Sequence, residues 1–409
     1  MSRDPALTGL KVLDLAWVMA GPMIGRVLAD FGATVVRVES ARKLDLARAL
    51  GPFKDGKPGS ERSIFFSDNN AGKLGVALDL SGPAGRSVLA DLLGWADVVI
   101  DSFSPGTMAR WGFGWDELSR RHPRLIMVSA SLLGEAGPYG RVAGFGSAGS
   151  TISGIHDLGG WPDLPPQGVS GPYSDAINPH FGVMTILAAL DFRRRTGRGT
   201  YVDLSQVETT LQFFSAVVAD YTANGIVARR NGNRDLAACP HGLYPAAPDP
   251  AIGASWVAIA VEKDAEWGQL CEIMQRPDLK TASEFATRQA RLANVDDVDR
   301  IVSEWTSQRS AREAEEKLQA AGIAAHRAST SADLASDPQL EALAHFIPLE
   351  HPDHGATFVE SSRIGLSETP ATVSRPGPVL GEHTDHVLRD ILGYSEEQVS
   401  TLRTAGVLS

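Results

Sequence analysis

The sequence predicts an α/β protein: a large domain built on a doubly wound parallel sheet, with a smaller α+β domain beside it. Three observations lead there. Short apolar runs alternate with segments of helical spacing through the first 131 residues. The 409 residues exceed what one hydrophobic core usually organises. The chain also changes character at "ARRNGNRDLAACPHGLYPA" (228–246), beyond which a strand and several amphipathic helices follow.

In order, "KVLDLA" (11–16) is a short apolar strand, and "GPMIGRVLADFGA" (21–33) carries Ile24, Val27, Leu28 and Phe31 at helical spacing. "TVVRVE" (34–39) is β-branched and strand-like. Such a β–α–β unit implies a parallel pair with a right-handed crossover. "LGVALDL" (74–80), helical "GRSVLADLLGWA" (85–96), "DVVIDSF" (97–103) and "RLIMVSAS" (124–131) continue the alternation. Sheets of this kind bind ligands beyond the carboxyl ends of their strands. Residues 133–178 are rich in Gly, Pro and Ser and too long for a plain connection, which marks a functional loop.

Helices are expected at 180–195 and roughly 205–224. The segment 228–327 reads as the small α+β domain, with "SWVAIAV" (255–261) as a strand and helices in "DAEWGQLCEIMQ", "DDVDRIVSEWTSQ" and "SAREAEEKLQAAG". Strand and turn follow in "FIPLEHPDHGATFVESSRIGLSETP", then a helix in "EHTDHVLRDIL".

Composition narrows the function. The net charge is −11, from 38 Lys and Arg against 49 Asp and Glu, which argues against a nucleic-acid scaffold or an anionic membrane surface. Two cysteines, Cys239 and Cys271, cannot make a disulfide framework, and no Cys/His cluster has zinc spacing, so no metal is expected. The start "MSRDPALTGLKVLDLA" does not read as a signal peptide, and no apolar stretch approaches the roughly 20 residues that span a bilayer. A cytoplasmic protein is expected. "AGPMIG" (20–25) sits at a strand-to-helix turn whose amides can face an anion, but it fits neither dinucleotide nor P-loop patterns.

Asp175, in "GPYSDAINPHFG" (171–182), stands just before the apolar run "VMTILAALDF" (183–192). From the residues alone it is either a helix cap or a reactive carboxylate. Asn178 and Pro179 form the better N-cap and N1 pair, which releases Asp175 from capping.

Five long blocks together resemble the class III CoA-transferases, a family that also holds the α-methylacyl-CoA racemases. They are "LTGLKVLDLAWVMAGPMIGRVLADFGATVVRVE", "NNAGKLGVALDL", "ADVVIDSFSPGTMARWGFGWDEL", "ILAALDFRRRTGRGTYVDLSQVE" and "PGPVLGEHTDHVLRDILGYSEEQVSTLRTAGVL". The resemblance runs from about residue 8 to 408. It implies a discontinuous large Rossmann-like CoA-binding domain, 1–227 with 328–409, the small domain (228–327) inserted, and an interlocked dimer.

The family's nucleophile is an aspartate just before the "ILAAL" helix, a position held here by Asp175. A carboxylate attacks a thioester carbonyl, forms a mixed anhydride and then an enzyme thioester, and so moves CoA to a second acid. That role calls for a low-pKa carboxylate shielded from water. The resemblance carries CoA contacts to Trp17, Val18, Ala20, Lys73, Leu74, Ser102 and Arg110, with Lys73 and Arg110 on the phosphates. Leu74 replaces a common Arg and Ser102 a common Asn.

The implied activity is transfer of CoA from an acyl-CoA such as succinyl-CoA to a carboxylic acid, with the racemase or isomerase chemistry as the alternative. In the racemases a histidine handles the α-proton; the matching position is Phe145, which cannot. Trp17 stands where some formate-handling members have a histidine, and their glycine-rich loop has no counterpart between 225 and 260, where His241 stands. "GWPDLPPQGVSGPYSD" resembles members acting on larger dicarboxylic or aromatic acids, some of them heteromers. The expected partners are therefore acyl-CoA and an acid, within a homodimer or a heteromer with a related subunit.

Overall fold

The computed structural model describes residues 4–168 and 171–409; residues 1–3 of the N-terminal segment and 169–170 of the long loop lie outside it. The chain divides into two compact units. One holds residues up to 155, 168–226 and 338–409; the other holds 156–167 and 227–337.

In the first unit six strands form one parallel sheet: β1 (Lys11–Leu15), β2 (Thr34–Glu39), β3 (Leu74–Ala77), β4 (Val98–Asp101), β5 (Ile126–Ser131) and β6 (Tyr201–Ser205). Their order is β3-β2-β1-β4-β5-β6. The order reverses at β1 and β4, which opens a crevice at their carboxyl ends. β6 is absent from the sequence reading: "TYVDLS" mixes polar and apolar residues, and only pairing with β5 makes it a strand.

The two-residue period of each strand sends alternate side chains to opposite faces. Leu13, Leu15, Val36 and Val38 join one core with Leu89 and Leu92 of α2 (Pro83–Trp95). Val12, Val35, Ile100 and Val128 join the other, against Ile24 and Leu28 of α1 (Ala20–Asp30) and Ile186. Val387, Leu388, Val399 and Val407 belong to the first core, so the chain's end packs on the same sheet as its beginning. The expected helix at 382–392 is a short α-turn, Thr384–His386, running into a π-turn, Val387–Ile391.

The long loop contains α3 (Gly146–Ile152). The next helix, α4, corrects the expected start: it runs Tyr173–Thr196, not 180–195. Asn178 is therefore a fully buried interior residue and not the N-cap, and Pro179 lies inside the helix. Without an N–H, Pro179 cannot bond back to the carbonyl four residues earlier, which is that of Asp175. α5 (Gln206–Leu211) follows β6, and the expected 205–224 helix is broken by a 3₁₀ turn before Ser215–Asn224.

In the second unit β7 (His241–Asp249), β8 (Gly253–Ala260) and β9 (Ala324–Arg327) form an antiparallel sheet. Its core joins Tyr244, Val257 and Ile259 to Trp267, Leu270, Val298 and Leu318 of the covering helices. No described helix is long and apolar enough to cross a membrane.

Candidate active site

The carboxyl ends of β1, β4 and β5 surround a cavity of about 430 Å³. Trp17, Val18, Ala20, Ser102, Phe145 and Asp175 all line it, although they come from sequence positions far apart. Gly21 lets α1 start hard against β1, since a Cβ there would stand 2.3 Å from that of Ala16.

The turn after β1 is held by side chains. The Trp17 N–H donates to Ser102 Oγ at 2.9 Å. Val18 has φ of 67°, a left-handed conformation costly for a β-branched residue, and its N–H donates to both Asp45 oxygens at 3.0 and 3.1 Å. Asp45 is anchored in turn by Arg37, which also donates to the Ala16 carbonyl at 2.8 Å. Glu39 and Arg48 extend this buried network.

Asp175 lies in the first turn of α4 and is 6% exposed. Gln206 Nε2 donates to its Oδ1 at 2.5 Å, and the Gly146 backbone N–H also favours its ionised form. Gly146 permits this close approach, because a Cβ there would lie 2.5 Å from the Asp175 carboxyl carbon. No described cation pairs with Asp175. Burial outweighs the two hydrogen bonds and raises its pKa to about 6. The expected low pKa is thus replaced by a raised one, which still leaves the group largely ionised at neutral pH.

Three expected CoA contacts stand elsewhere. Lys73 is fully buried, and its Nζ donates to Asp14 Oδ2 (2.7 Å), the Pro22 carbonyl (2.7 Å) and Asn70 Oδ1 (2.8 Å). All three donors are engaged, so Lys73 braces the β1–α1 turn and has none left for a phosphate. Leu74 opens β3 at the amino end of the sheet and lines a different cavity. Arg110 is exposed, donates to Thr107 Oγ1 at 2.6 Å, and is not a lining residue, although its neighbour Pro105 is.

The structure adds residues that sequence reasoning missed. Lys43 lines the cavity with its Nζ 5.0 Å from the Trp17 ring centroid; a cation just past the carboxyl end of β2 was the signal. Gln206 was hidden in "DLSQVE" as an ordinary helix start. Ser131, at the end of β5, lines the cavity with a buried hydroxyl that has no hydrogen-bond partner among the described residues. His241 lies in the second unit, its Nδ1 2.6 Å from the Asn233 carbonyl. Among the described residues no His/Cys/Asp/Glu cluster has the geometry to hold a metal.

Residues 7–384 match the model of CoA-transferase family III. The chain belongs to that family. The transferase is 33% identical over 402 residues to succinyl-CoA–D-citramalate CoA-transferase of Chloroflexus aurantiacus, covering 98% of both chains. It is 30% identical over 396 residues to succinate–glutarate CoA-transferase of Agrobacterium fabrum, covering 95% of this chain and 96% of that one. A crystal structure of a CaiB/BaiF family protein from Brucella suis superposes with a TM-score of 0.87 at 29% identity, over 95% of this chain and all of the other. The chain is accordingly an acyl-CoA:carboxylate CoA-transferase, with CoA thioesters as substrates.

Proposed function

We propose that the transferase moves CoA from succinyl-CoA to a second dicarboxylic acid through a covalent intermediate on Asp175. The observation that carries this reading is a buried, cation-free carboxylate at the floor of a cavity formed by strand ends. Asp175 attacks the thioester carbonyl, the C–S bond breaks, and CoA leaves as thiolate while a mixed anhydride forms. The thiolate attacks the aspartyl carbonyl, releasing succinate and leaving an aspartyl thioester. The acceptor carboxylate repeats the two steps in reverse and regenerates Asp175. Gln206 Nε2 and the Gly146 N–H stand beside the oxygens on which charge develops.

Trp17, Val18, Ala20 and Ser102 are assigned to the CoA chain, with Lys43 and Arg110 as its cations; Lys73 and Leu74 are assigned to the scaffold. The dicarboxylate class is supported by the names of the relatives, which act on D-citramalate, L-malate and glutarate. The exposed apolar side chains Met184 and Leu187 on α4 and Phe213, Val218 and Tyr221 beyond it support a dimer. Relatives named as alpha and beta subunits of one enzyme make a related partner subunit the alternative to a second copy.

Phe145 weighs against racemisation: it is 61% exposed and lines the same cavity, and none of the described lining residues is a histidine. The test is incubation with succinyl-CoA and a panel of acids, read by mass spectrometry of the thioesters, with hydroxylamine or borohydride trapping at Asp175. Full transfer by Asp175→Ala overturns the mechanism. Deuterium uptake at the α-carbon with no acid present overturns the transferase reading in favour of a racemase.

A further inference from the structure

A second cavity of about 540 Å³ lies at the amino ends of β1, β2 and β3, the opposite edge of the sheet from Asp175. Its size is that of small-molecule sites. Lys11, Arg375, His383 and His386 face it, with Ser374 and the Trp95 ring. In a chain of net charge −11, Lys11 and Arg375 place two cations side by side here. Among the described residues Lys11 and Arg375 make no ion pair; the Lys11 Nζ stands 6.0 Å from the Trp95 ring centroid. The nearby carboxylates are directed to the histidines: Asp390 is 2.8 Å from His386 Nδ1, and Glu382 is 3.8 Å from His383 Nε2.

His383 supplies the independent pointer to a ligand. The Gly75 N–H donates to its Nδ1 at 3.2 Å, so the neutral ring carries its proton on Nε2. Burial, with Arg375 and His386, outweighs the opposing Glu382 carboxylate and holds His383 below its ordinary pKa and so neutral. Yet Nε2 faces Arg375 Nη1 at 3.3 Å. Two N–H donors thus converge with no acceptor within hydrogen-bond reach among the described residues, the Glu382 carboxylate standing off at 3.8 Å. An oxyanion placed between them satisfies both.

We propose that this cavity is a binding site for a small oxyanion-bearing molecule, held by Arg375, His383 Nε2–H and Lys11 and separate from the acyl-transfer site. Phosphate and carboxylate groups share the required chemistry, and the Trp95 surface suits a planar group attached to either. The assignment does not depend on Asp175 acting as a nucleophile.

Calorimetric titration of the full chain, kept saturated with CoA, with inorganic phosphate, adenosine 5′-monophosphate and citrate separates the sources. At least one should bind, and the tightest names the group recognised. Arg375→Ala with Lys11→Ala should weaken that binding at least about tenfold, Arg375→Lys should retain it within about threefold, and Lys43→Ala should leave it unchanged. In protein labelled with ¹⁵N-histidine, the His383 Nε2 signal should move on titration, a readout that needs no variant to fold. The assignment fails if none of the three binds by ~10 mM. It also fails if the doubly substituted protein binds as before, or if the His383 signal does not respond.

Discussion

Two buried charged regions meet at the Asp175 cavity and have opposite characters. Around Asp14, every charge has a partner: Lys73, Arg37, Asp45, Glu39 and Arg48 form a closed network that engages the backbone of Ala16 and Val18. Asp175 has no cation and is held by one amide side chain and one backbone N–H. The paired network makes a rigid wall and keeps Val18 in its left-handed conformation. The unpaired carboxylate is kept poorly stabilised as an anion, which suits a nucleophile. Pairing builds the site; its absence is what the proposed nucleophile requires.

The largest test of that contrast is Asp175→Ala, expected to reduce CoA transfer by ~10³-fold or more in steady-state assays. Asp175→Asn should do the same while stabilising the fold. The sign follows from the raised pKa: the folded state favours the protonated acid, so this group's contribution is fullest below about pH 4 and is lost as pH rises through about 6. Asn removes a penalty of at most about 3 kcal/mol at pH 8 and nothing at pH 4, as thermal melts at the two pH values would show. A stability gain equal at both would contradict the account.

Breaking the paired network should act on stability instead. Lys73→Met takes from Asp14 its partner at 2.7 Å and leaves only Arg37, 3.6 Å away, at a cost of about 3 kcal/mol in denaturant unfolding. The KM for acyl-CoA of the protein that remains folded should change little; a large rise would return Lys73 to the binding surface.

The pH profile sharpens the other side. kcat/KM should fall about tenfold per pH unit below about 6, as Asp175 protonates. Gln206→Leu, which removes a donor to the carboxylate, should move that acid limb upward. An unmoved limb would mean another group titrates there. The smallest effect is expected at the rim, where Lys43→Ala should raise KM for acyl-CoA about three- to tenfold, less so in high salt.

Much of this was legible in one dimension. The alternation of "KVLDLA", "TVVRVE" and "DVVIDSF" with helical segments specified a doubly wound sheet, because strand and helix periods are local properties of the chain. The crevice at the strand ends follows from that topology, and the block resemblance singled out Asp175, Trp17, Val18, Ala20 and Ser102, which the fold gathers at one cavity.

What the sequence could not settle was the use of its charges. Arg37 and Glu39 sit within an otherwise apolar strand, and Lys73 looked available for a phosphate; burial and partner geometry turned all three into scaffold. Asn178 and Pro179 looked like a helix start, but tertiary packing carried α4 back to Tyr173 and set Asp175 in its first turn. Gln206 became a site residue only when β6 paired beside β5 and α5 closed on α4, while Lys43 and Ser131 reach the same cavity from beyond β2 and from the end of β5. Periodicity encodes which residues face a core. Whether a charge is paired, and so inert or reactive, depends on groups distant in sequence, and only the tertiary structure brings those together.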